Sequence, residues 1–267
     1  MEKIGLIAGN RKFPLILSQA ARQKNYSVVA LAVKGETSPQ LKAYVDKIYW
    51  IGLDEFSKIF AIFKSEGITK LVMAGQISPR RIFSKETYKD QELSRILSSI
   101  KDKRADTIFE AIAERLLKEG FELMDSTIFL EEYLPKKGTL TKKEPSFKMW
   151  EDVYFGFDMA KGIGFLDIGQ AVALKNKVVV AVEAIEGTDN LIRRAGKIAK
   201  DGVVIVKVSK PHQDKRFDIP VVGTNTVKNL IKIKAACLAI EAGKTLFIDR
   251  ESSIALADKA GLSIVAV

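Results

Sequence analysis

Short apolar runs alternate with segments of helical periodicity through the first half of the chain, and this alternation most strongly limits its possible folds. A sheet whose strands are separated by helices is mostly parallel, so the pattern predicts a Rossmann-like α/β sheet with helices on its faces. The predicted strands are Ile4–Ala8, Ser27–Val33, Lys47–Ile51 and Lys70–Ala74. The predicted helices are Pro14–Gln23, Glu55–Ser65, Gln91–Ser99 and Thr107–Lys118.

The alternation stops between Tyr133 and Ser146, where prolines and a glycine stand among lysines and threonines without a hydrophobic period. A chain of 267 residues has room for two domains of about 100 to 150 residues each. We therefore predict an N-terminal Rossmann-like domain at residues 1–134, a linker at 135–147 and a C-terminal catalytic domain of mixed α/β fold at 148–267.

The second half predicts further helices and strands. A helix is expected over Met149–Ala160, and Lys175-Asn176 separates two apolar runs, Ala171–Leu174 and Val178–Ala184, as in a hairpin. The single cysteine, Cys237, excludes an internal disulfide and is expected in a helix core. The other predicted elements are the helix Asn190–Lys200, the strands Val203–Val208 and Ile219–Val222, the helix Thr226–Glu241, and a closing strand, helix and strand.

The chain is basic, with a formal net charge of +10 and a pI near 9.4. This charge favours an anionic partner. Nucleic acid, an acidic membrane surface and a phosphorylated substrate are the three possibilities, and charge alone does not decide among them. No apolar run approaches the roughly 20 residues that cross a bilayer. Because the N-terminus also lacks the architecture of a signal peptide, we expect a cytoplasmic protein.

Glycines follow the first and fourth predicted strands, at Gly9 and Gly75. Because the carboxyl ends of parallel strands share one edge, both turns are expected where ligands of open α/β folds bind. The dinucleotide fingerprint is incomplete, since Asn10 and Arg11 stand where a further glycine is needed and no acidic residue ends the second strand to hold a ribose. A nicotinamide cofactor is therefore disfavoured, and a turn that presents Asn10 and Arg11 to an anion is favoured.

Polar residues crowd together directly after apolar strands in the second half. Gly187-Thr188-Asp189 and Gly223-Thr224-Asn225-Thr226 lie between a strand and a helix, an order that leaves backbone N–H groups free to bind phosphate oxygens. Capping of the helix by threonine or aspartate is the alternative, and it needs no ligand.

Carboxylates and cations occur in these same segments and in the loop that follows them. A phosphoanhydride needs cations to offset the charge on its oxygens, and carboxylates to hold magnesium and to orient a water. Asp214 and Asp218 flank Arg216 between two prolines, which indicates a fixed polar edge. His212 is the only histidine and a weaker candidate. With one histidine and no suitably placed cysteine, thiol catalysis and His-rich zinc sites are disfavoured.

Taken together, these segments resemble the LpxI family, the UDP-2,3-diacylglucosamine pyrophosphatases of lipid A synthesis. The resemblance runs from end to end of the chain. The residues that carry it are Gly5–Gly9, Met73–Gly75, Asp167–Gln170, Glu183–Asp189 and Lys210–Pro220. The family usually has a further glycine after Ala8-Gly9, where this chain has Asn10-Arg11.

The resemblance implies hydrolysis of UDP-2,3-diacylglucosamine to UMP and 2,3-diacylglucosamine 1-phosphate, with Mg²⁺ as cofactor and Mn²⁺ as the alternative ion. It also implies a two-domain homodimer that binds its acylated UDP-sugar between the domains. A positive surface would be drawn to an anionic membrane, so peripheral contact with the inner face of the inner membrane is expected.

Combined with the charge pattern, the resemblance assigns roles to individual residues. The predicted catalytic residues are Asp214, Arg216 and Asp218. The predicted metal ligands are Asp214, Asp218, Glu183, Glu186 and Asp189. The predicted substrate-binding residues are Gly9, Asn10, Gly75, Gln170, Gly187, Thr188, Lys207, Lys210, Gln213 and Thr226.

Two other classes of function stay open on the residues alone. The charge favours a nucleotide- or nucleic-acid-binding protein without hydrolase activity. However, the basic residues lack an interleaved aromatic platform or a recognisable reading helix, so no nucleic-acid partner is expected. The second class, an oxidoreductase, would carry nicotinamide or flavin.

Overall fold

The computed structural model describes residues 1–78, 81, 84–102 and 104–267. Its contacts divide the chain into two compact units. Unit 1 comprises Met1–Leu130 together with the short segment Asp214–Asp218, and unit 2 comprises Glu131–Gln213 and Ile219–Val267. None of the helices within the described ranges is long and apolar enough to cross a membrane.

Unit 1 contains a five-stranded parallel sheet in the order β3-β2-β1-β4-β5. The strands are β1 (Glu2–Ala8), β2 (Tyr26–Val33), β3 (Lys47–Ile51), β4 (Lys70–Ala74) and β5 (Glu122–Leu123). The described helices of this unit are α1 (Phe13–Gln23), α2 (Lys58–Ser65), α3 (Gln91–Ser99) and α4 (Ala105–Lys118). The strand order reverses at β1, which is the topological switch point of a Rossmann-like sheet, so the predicted fold of the first half is confirmed.

Unit 2 contains a six-stranded mixed sheet in the order β6-β13-β11-β9-β7-β8 and a small parallel pair of β10 and β12. The strands are β6 (Gly138–Thr139), β7 (Ala171–Lys175), β8 (Val178–Val182), β9 (Val204–Lys207), β10 (Val221–Val222), β11 (Cys237–Ile240), β12 (Leu246–Phe247) and β13 (Ser263–Ala266). The helices are α5 (Phe147–Phe165), α6 (Thr188–Ala199), α7 (Thr224–Lys232) and α8 (Arg250–Ala260). The prediction of a mixed α/β second half is confirmed.

Helices cover both faces of the sheet in unit 2, which explains why its central strands are almost wholly apolar. Side chains alternate along β9: Val204 and Val206 pack in the cluster that contains Val153 of α5, whereas Ile205 packs in the cluster that contains Leu191 of α6. Polar side chains are therefore confined to the ends of these strands, where the candidate site lies.

The predicted hairpin is confirmed, with its turn at Asn176-Lys177 instead of Lys175-Asn176. β7 and β8 are antiparallel neighbours, and the turn residues Asn176 and Lys177 have φ values of +53° and +59°. A two-residue turn in which both residues have positive φ has the same backbone twist as the strands that it joins. Asp152 of α5 accepts the backbone N–H of Asn176 at 3.0 Å and that of Lys177 at 2.5 Å, which fixes the turn against the helix.

Two predictions for the second half are corrected. The segment predicted as a linker, residues 135–147, contributes β6, which pairs with β13 through Thr139 and Val265, so it belongs to the sheet of unit 2. The helix predicted over Thr226–Glu241 is wrong after Lys232, because Lys234 has a φ of +52° and Cys237 begins the central strand β11. Burial raises the pKa of the Cys237 thiol to about 12, so it is an unreactive core group.

A pair of glycines in α5 tests how closely this helix packs on the sheet. A Cβ on Gly156 would lie 2.4 Å from Leu174 and 2.6 Å from Val206, whereas one on Gly162 would have no neighbour within 4 Å. We predict that Gly156→Ala lowers the free energy of unfolding by about 1–3 kcal/mol through overpacking. Gly162→Ala should raise it by up to about 1 kcal/mol, the helix propensity of alanine over glycine. Denaturant unfolding of the full chain measures both, and stabilisation by Gly156→Ala would contradict the packing.

Candidate active site

The turns after β1 and β4 touch through their backbones at the carboxyl edge of the sheet in unit 1. The N–H of Gly9 donates to the carbonyl of Ala74, and that of Asn10 to the carbonyl of Gln76, both at 2.8 Å. A Cβ on Gly9 would lie 2.5 Å from the Gln76 oxygen, and one on Gly75 would lie 2.5 Å from the Asn10 oxygen. Gly75 also has a φ of +87°, so both positions need glycine. The predicted proximity of the two turns is confirmed.

A carboxylate from the loop after β2 lies at this same edge. Oε2 of Glu36 accepts a hydrogen bond from Asn10 Nδ2 at 2.7 Å and from the Ser78 hydroxyl at 3.0 Å. The sequence indicated no acid at the end of the second strand, because Glu36 follows Val33, the last residue of β2, by three positions. The hydroxyl of buried Thr37 accepts the N–H of Val33 at 2.9 Å and thereby turns the loop back over the sheet. An acidic side chain therefore does stand at the switch point.

Four predicted residues of unit 2 meet at one edge of the six-stranded sheet. Glu183 and Lys207 are each only 6% exposed. The Lys207 ammonium donates to the Thr188 hydroxyl at 3.1 Å, and that hydroxyl donates to Glu183 Oε1 at 2.7 Å. The other oxygen of Glu183 accepts the N–H of Gln170 at 3.3 Å. A buried carboxylate and a buried ammonium are thus joined through one hydroxyl, which offsets the cost of removing both charges from water.

Strand register brings these residues together. β7 is antiparallel to both of its neighbours, and its first residues, Ala171 and Val172, stand beside Lys207 at the end of β9 and Val182 at the end of β8. The loops before β7, after β8 and after β9 therefore emerge at one edge. Ala171 and Lys207 are more than 35 positions apart in the sequence, so they are neighbours because of the order of the strands in the sheet.

Glycines occupy the N-cap positions of α6 and α7, at Gly187 and Gly223. Neither residue has a side chain that could cap its helix by a hydrogen bond. Gly187 has a φ of +78°. The hydroxyls of the two threonines that follow are directed elsewhere, since Thr188 bonds to Glu183 and Thr224 lies 3.2 Å from the Ser253 hydroxyl. Threonine capping, the alternative to phosphate binding, is therefore not what holds these helix starts.

The other predicted residues of unit 2 are held in separate small networks. Lys210 forms an ion pair with Asp167 at 2.8 Å, and its backbone N–H donates to the side chain of Gln213 at 2.8 Å. Glu186 accepts from Arg194 at 2.7 Å and Asp189 from Asn229 at 2.9 Å. Thr226 lies in the first turn of α7.

The segment Asp214–Asp218 is fastened within unit 1. The carbonyl of Lys215 accepts the N–H of Ser126 at 2.9 Å and its hydroxyl at 2.8 Å, and Phe217 stacks on Phe109 with ring centroids 5.7 Å apart. The N–H of Asp218 donates to the carbonyl of Asp214 at 2.9 Å, so one turn carries both aspartates. Sequence alone gave no indication that this segment groups with the first half.

Arg216 donates hydrogen bonds to the Asp214 carboxylate through two nitrogens within that turn. Its Nε lies 3.0 Å from both carboxylate oxygens, and its Nη2 lies 2.6 Å from Oδ2. Burial pushes the pKa of Asp214 upward, but the side-chain and backbone hydrogen bonds from Arg216 outweigh it and hold the pKa below the ordinary 3.8. Asp214 is consequently an anion at neutral pH, which suits a base or a metal ligand and excludes a general acid.

The five predicted metal ligands carry the oxygen atoms that magnesium prefers. Within the described ranges, however, no three His, Cys, Asp or Glu side chains are gathered closely enough to hold a metal ion by themselves. The hydrogen bonds of Glu183, Glu186, Asp189 and Asp214 to protein donors account for their present positions.

A partly buried ion pair at the edge of unit 2 was not predicted from the sequence. Glu241, at the end of β11, is 6% exposed and accepts hydrogen bonds from Lys161 at 2.6 Å and from the N–H of Ser209 at 2.8 Å. Lys244 lies 3.0 Å from its second oxygen. Lys161 and Glu241 are 80 positions apart, and no local pattern links an acid that ends an apolar run to a lysine on a distant helix.

The Glu241 network predicts a pH-dependent contribution to stability. Burial raises the pKa of Glu241, but Lys161, Lys244 and the Ser209 N–H outweigh it, so the folded pKa lies below the unfolded 4.5. The contribution is then present above pH 4.5 and is lost as pH falls through the folded pKa. We predict that Glu241→Gln lowers the free energy of unfolding by about 1–3 kcal/mol at pH 7, and by less at pH 3.

Denaturant unfolding of the full chain at both pH values measures this effect. The control is Glu144→Gln, because Glu144 is exposed; it should change stability by less than about 0.5 kcal/mol at either pH. A loss in Glu241→Gln that is equal at pH 3 and pH 7 would contradict the ionised network.

Comparison with known proteins places both halves of the chain in one family. Residues 3–133 match the LpxI N-terminal domain, and residues 136–265 match the LpxI C-terminal domain. UDP-2,3-diacylglucosamine pyrophosphatase LpxI of Caulobacter vibrioides is 32% identical over 278 residues, which cover 100% of this chain and 98% of that protein.

Likeness to solved structures is much weaker. N5-carboxyaminoimidazole ribonucleotide synthetase from Thermotoga maritima is 16% identical, with 71% of this chain and 43% of that chain covered and a TM-score of 0.26. The biotin carboxylase subunit of pyruvate carboxylase is 13% identical, with 74% and 42% covered and a TM-score of 0.28. The chain spans less than half the length of either protein, and TM-scores this low support no inference about function.

Proposed function

The chain belongs to the LpxI family, and on that premise we propose that it hydrolyses the pyrophosphate bond of UDP-2,3-diacylglucosamine. The products are UMP and 2,3-diacylglucosamine 1-phosphate, and the reaction is a step of lipid A synthesis. The observation that carries the proposal is the match along the whole chain, since both family domains are present and the Caulobacter relative aligns over 100% of this sequence.

The edge of unit 2 supports diphosphate binding. We propose that Lys207 and the backbone N–H groups at the start of α6 bind diphosphate oxygens of the substrate. Lys207 is already fixed by the Thr188 hydroxyl and by the Val221 carbonyl at 2.9 Å, so little reorganisation is needed when a phosphate arrives. Preorganised cations and N–H groups stabilise the charge that develops on a phosphoryl group during hydrolysis.

The turn Asp214–Asp218 supplies the proposed catalytic carboxylates. Arg216 holds the pKa of Asp214 below its ordinary value, so the carboxylate is ionised at neutral pH and can accept a proton from a water or orient that water. Arg216 gives the turn a fixed positive charge beside the anion, and Asp218 is the second proposed carboxylate. Asp214, Arg216 and Asp218 are thus proposed for the catalytic roles that their sequence pattern and the family resemblance predict.

We also propose Mg²⁺ as the cofactor, with Mn²⁺ as a substitute. Magnesium in phosphoryl-transfer enzymes is commonly held by one or two carboxylates together with phosphate oxygens of the substrate, so a cage of three protein ligands is not required. Asp214 and Asp218 are the carboxylates that one turn of the chain offers. A bound ion would supply neutralisation of phosphate charge and a more acidic water.

The finer features of the family are proposed as well. The protein acts as a homodimer in contact with the inner face of the inner membrane. A doubly acylated substrate resides in a bilayer, and a chain with net charge +10 is attracted to an anionic surface.

Two substitutions test the proposed chemistry. We predict that Asp214→Asn and Asp218→Asn each lower the rate of UMP release from UDP-2,3-diacylglucosamine at saturating Mg²⁺ by about 100-fold or more, because each removes an anion from the reaction. Asp158→Asn, at an exposed position of α5, should leave the rate unchanged.

The unaltered chain should lose activity in EDTA and regain it with Mg²⁺.

The outcomes separate the levels of the proposal. Normal turnover by both aspartate variants would remove these residues from the mechanism and leave the activity in place. Full activity in EDTA would reject the metal. Absence of UMP release by the unaltered chain with either ion would reject the activity itself.

A further inference from the structure

The switch-point edge of unit 1 carries two hydrogen-bond acceptors that the proposed hydrolysis does not use. The first belongs to Glu36, which is half-buried. Both donors that reach this carboxylate, Asn10 Nδ2 and the Ser78 hydroxyl, bond to Oε2. Within the described part of the chain, no group bonds to Oε1.

The second acceptor is the side-chain oxygen of Asn10. Oδ1 is buried and has no hydrogen-bond partner among the described residues. Because Nδ2 of the same amide donates to Glu36, the amide cannot be turned round without facing two oxygens toward each other. An unpaired buried acceptor is destabilising, but the protein atoms that cover Oδ1 leave Glu36 Oε1 as the acceptor within reach of a ligand.

The donors around Glu36 limit what the edge can bind. Asn10 Nδ2 and the Ser78 hydroxyl already face the carboxylate, so a metal cation placed there would meet donor groups as well as oxygens. A ligand that presents a hydroxyl donor suits Glu36 Oε1 without that conflict. A ribose presents such hydroxyls.

The position in the fold favours the same ligand. In open α/β sheets, ligands bind outside the carboxyl ends of the strands at the switch point, and an acid after the second strand bonds the ribose 2′-hydroxyl.

We propose that unit 1 binds the ribose of a ribonucleotide at this edge, with Glu36 accepting a hydrogen bond from the 2′-hydroxyl. Asn10 and Ser78 position the carboxylate. The identity of the nucleotide rests on the proposed function, because hydrolysis of a UDP-sugar supplies a uridine ribonucleotide.

Binding of UMP and of 2′-deoxy-UMP to the full-length chain tests the proposal. Calorimetry should show UMP binding about tenfold more tightly than 2′-deoxy-UMP, which corresponds to about 1.4 kcal/mol. Glu36→Gln should weaken UMP binding about tenfold and leave 2′-deoxy-UMP nearly unchanged, so that the preference disappears. Thermal unfolding of each variant checks that the fold is retained.

Glu66→Gln is the matched control. Glu66 also accepts two side-chain hydrogen bonds within unit 1, from Lys47 and Tyr49, and its substitution should leave the preference for UMP intact. In the hydrolysis assay, Glu36→Gln should raise KM for the acylated UDP-sugar about tenfold with kcat within about twofold, because a ribose contact is the same before and during the reaction.

Three results would overturn the inference. The first is equal affinity of the unaltered chain for UMP and 2′-deoxy-UMP, and the second is no measurable binding of UMP. The third is an equal loss of both ligands in Glu36→Gln, which would mean that the carboxylate only fastens the loops. Each can occur while UMP release proceeds normally, so failure of the inference is distinguishable from failure of the proposed function.

Discussion

The hydrogen-bonded chain from Lys207 through Thr188 to Glu183 is the interaction on which the candidate site of unit 2 depends. Each end of this chain is a charge removed from water, and either charge alone would be strongly unfavourable in the interior. The Thr188 hydroxyl joins them, and Thr188 is the first residue of α6. The start of that helix is therefore fixed by electrostatic compensation at the sheet edge, and a glycine at position 187 can take the N-cap place without a capping side chain.

Both units follow the same rule at their sheet edges. Apolar strands force polar side chains to the strand ends. The strand pairing then brings those ends to one edge, through parallel neighbours in unit 1 and through the antiparallel strand β7 in unit 2. In unit 1 the backbones of two glycine turns meet beside the hydrogen-bonded pair of Glu36 and Asn10. In unit 2 a preorganised lysine lies beside an uncapped helix start.

Local patterns in the sequence predicted what depends on short range. The alternation of strands and helices, the glycine turns and the hairpin at Lys175-Asn176 all follow from periodicity and turn chemistry. The helix predicted through Cys237 failed because a four-residue buried strand is as apolar as a helix core, and only the positive φ of Lys234 separates the two. Glu36 was missed because a tight loop, closed by Thr37, carries it back to the sheet from three positions beyond the strand.

Long-range contacts decided the rest. The grouping of Asp214–Asp218 with unit 1 depends on Ser126, 89 positions from Lys215, and on the stacking of Phe217 on Phe109. The Lys161–Glu241 pair spans 80 positions. No periodicity encodes such contacts. The residues proposed for the chemistry could be named from the sequence, and the hydrogen-bond partners that hold each of them could not.

Turnover of Thr188→Val, compared with Thr188→Ser, tests the central claim most directly. The valine is close in shape and lacks only the hydroxyl that holds Lys207 against Glu183, whereas serine keeps it. If the preorganised lysine binds the diphosphate, UMP release at saturating substrate should fall about 100-fold in Thr188→Val and stay within about threefold of normal in Thr188→Ser, with the fold intact in both by circular dichroism. Normal turnover in Thr188→Val would contradict the claim. It would mean that these hydrogen bonds stabilise the fold and do not contribute to turnover.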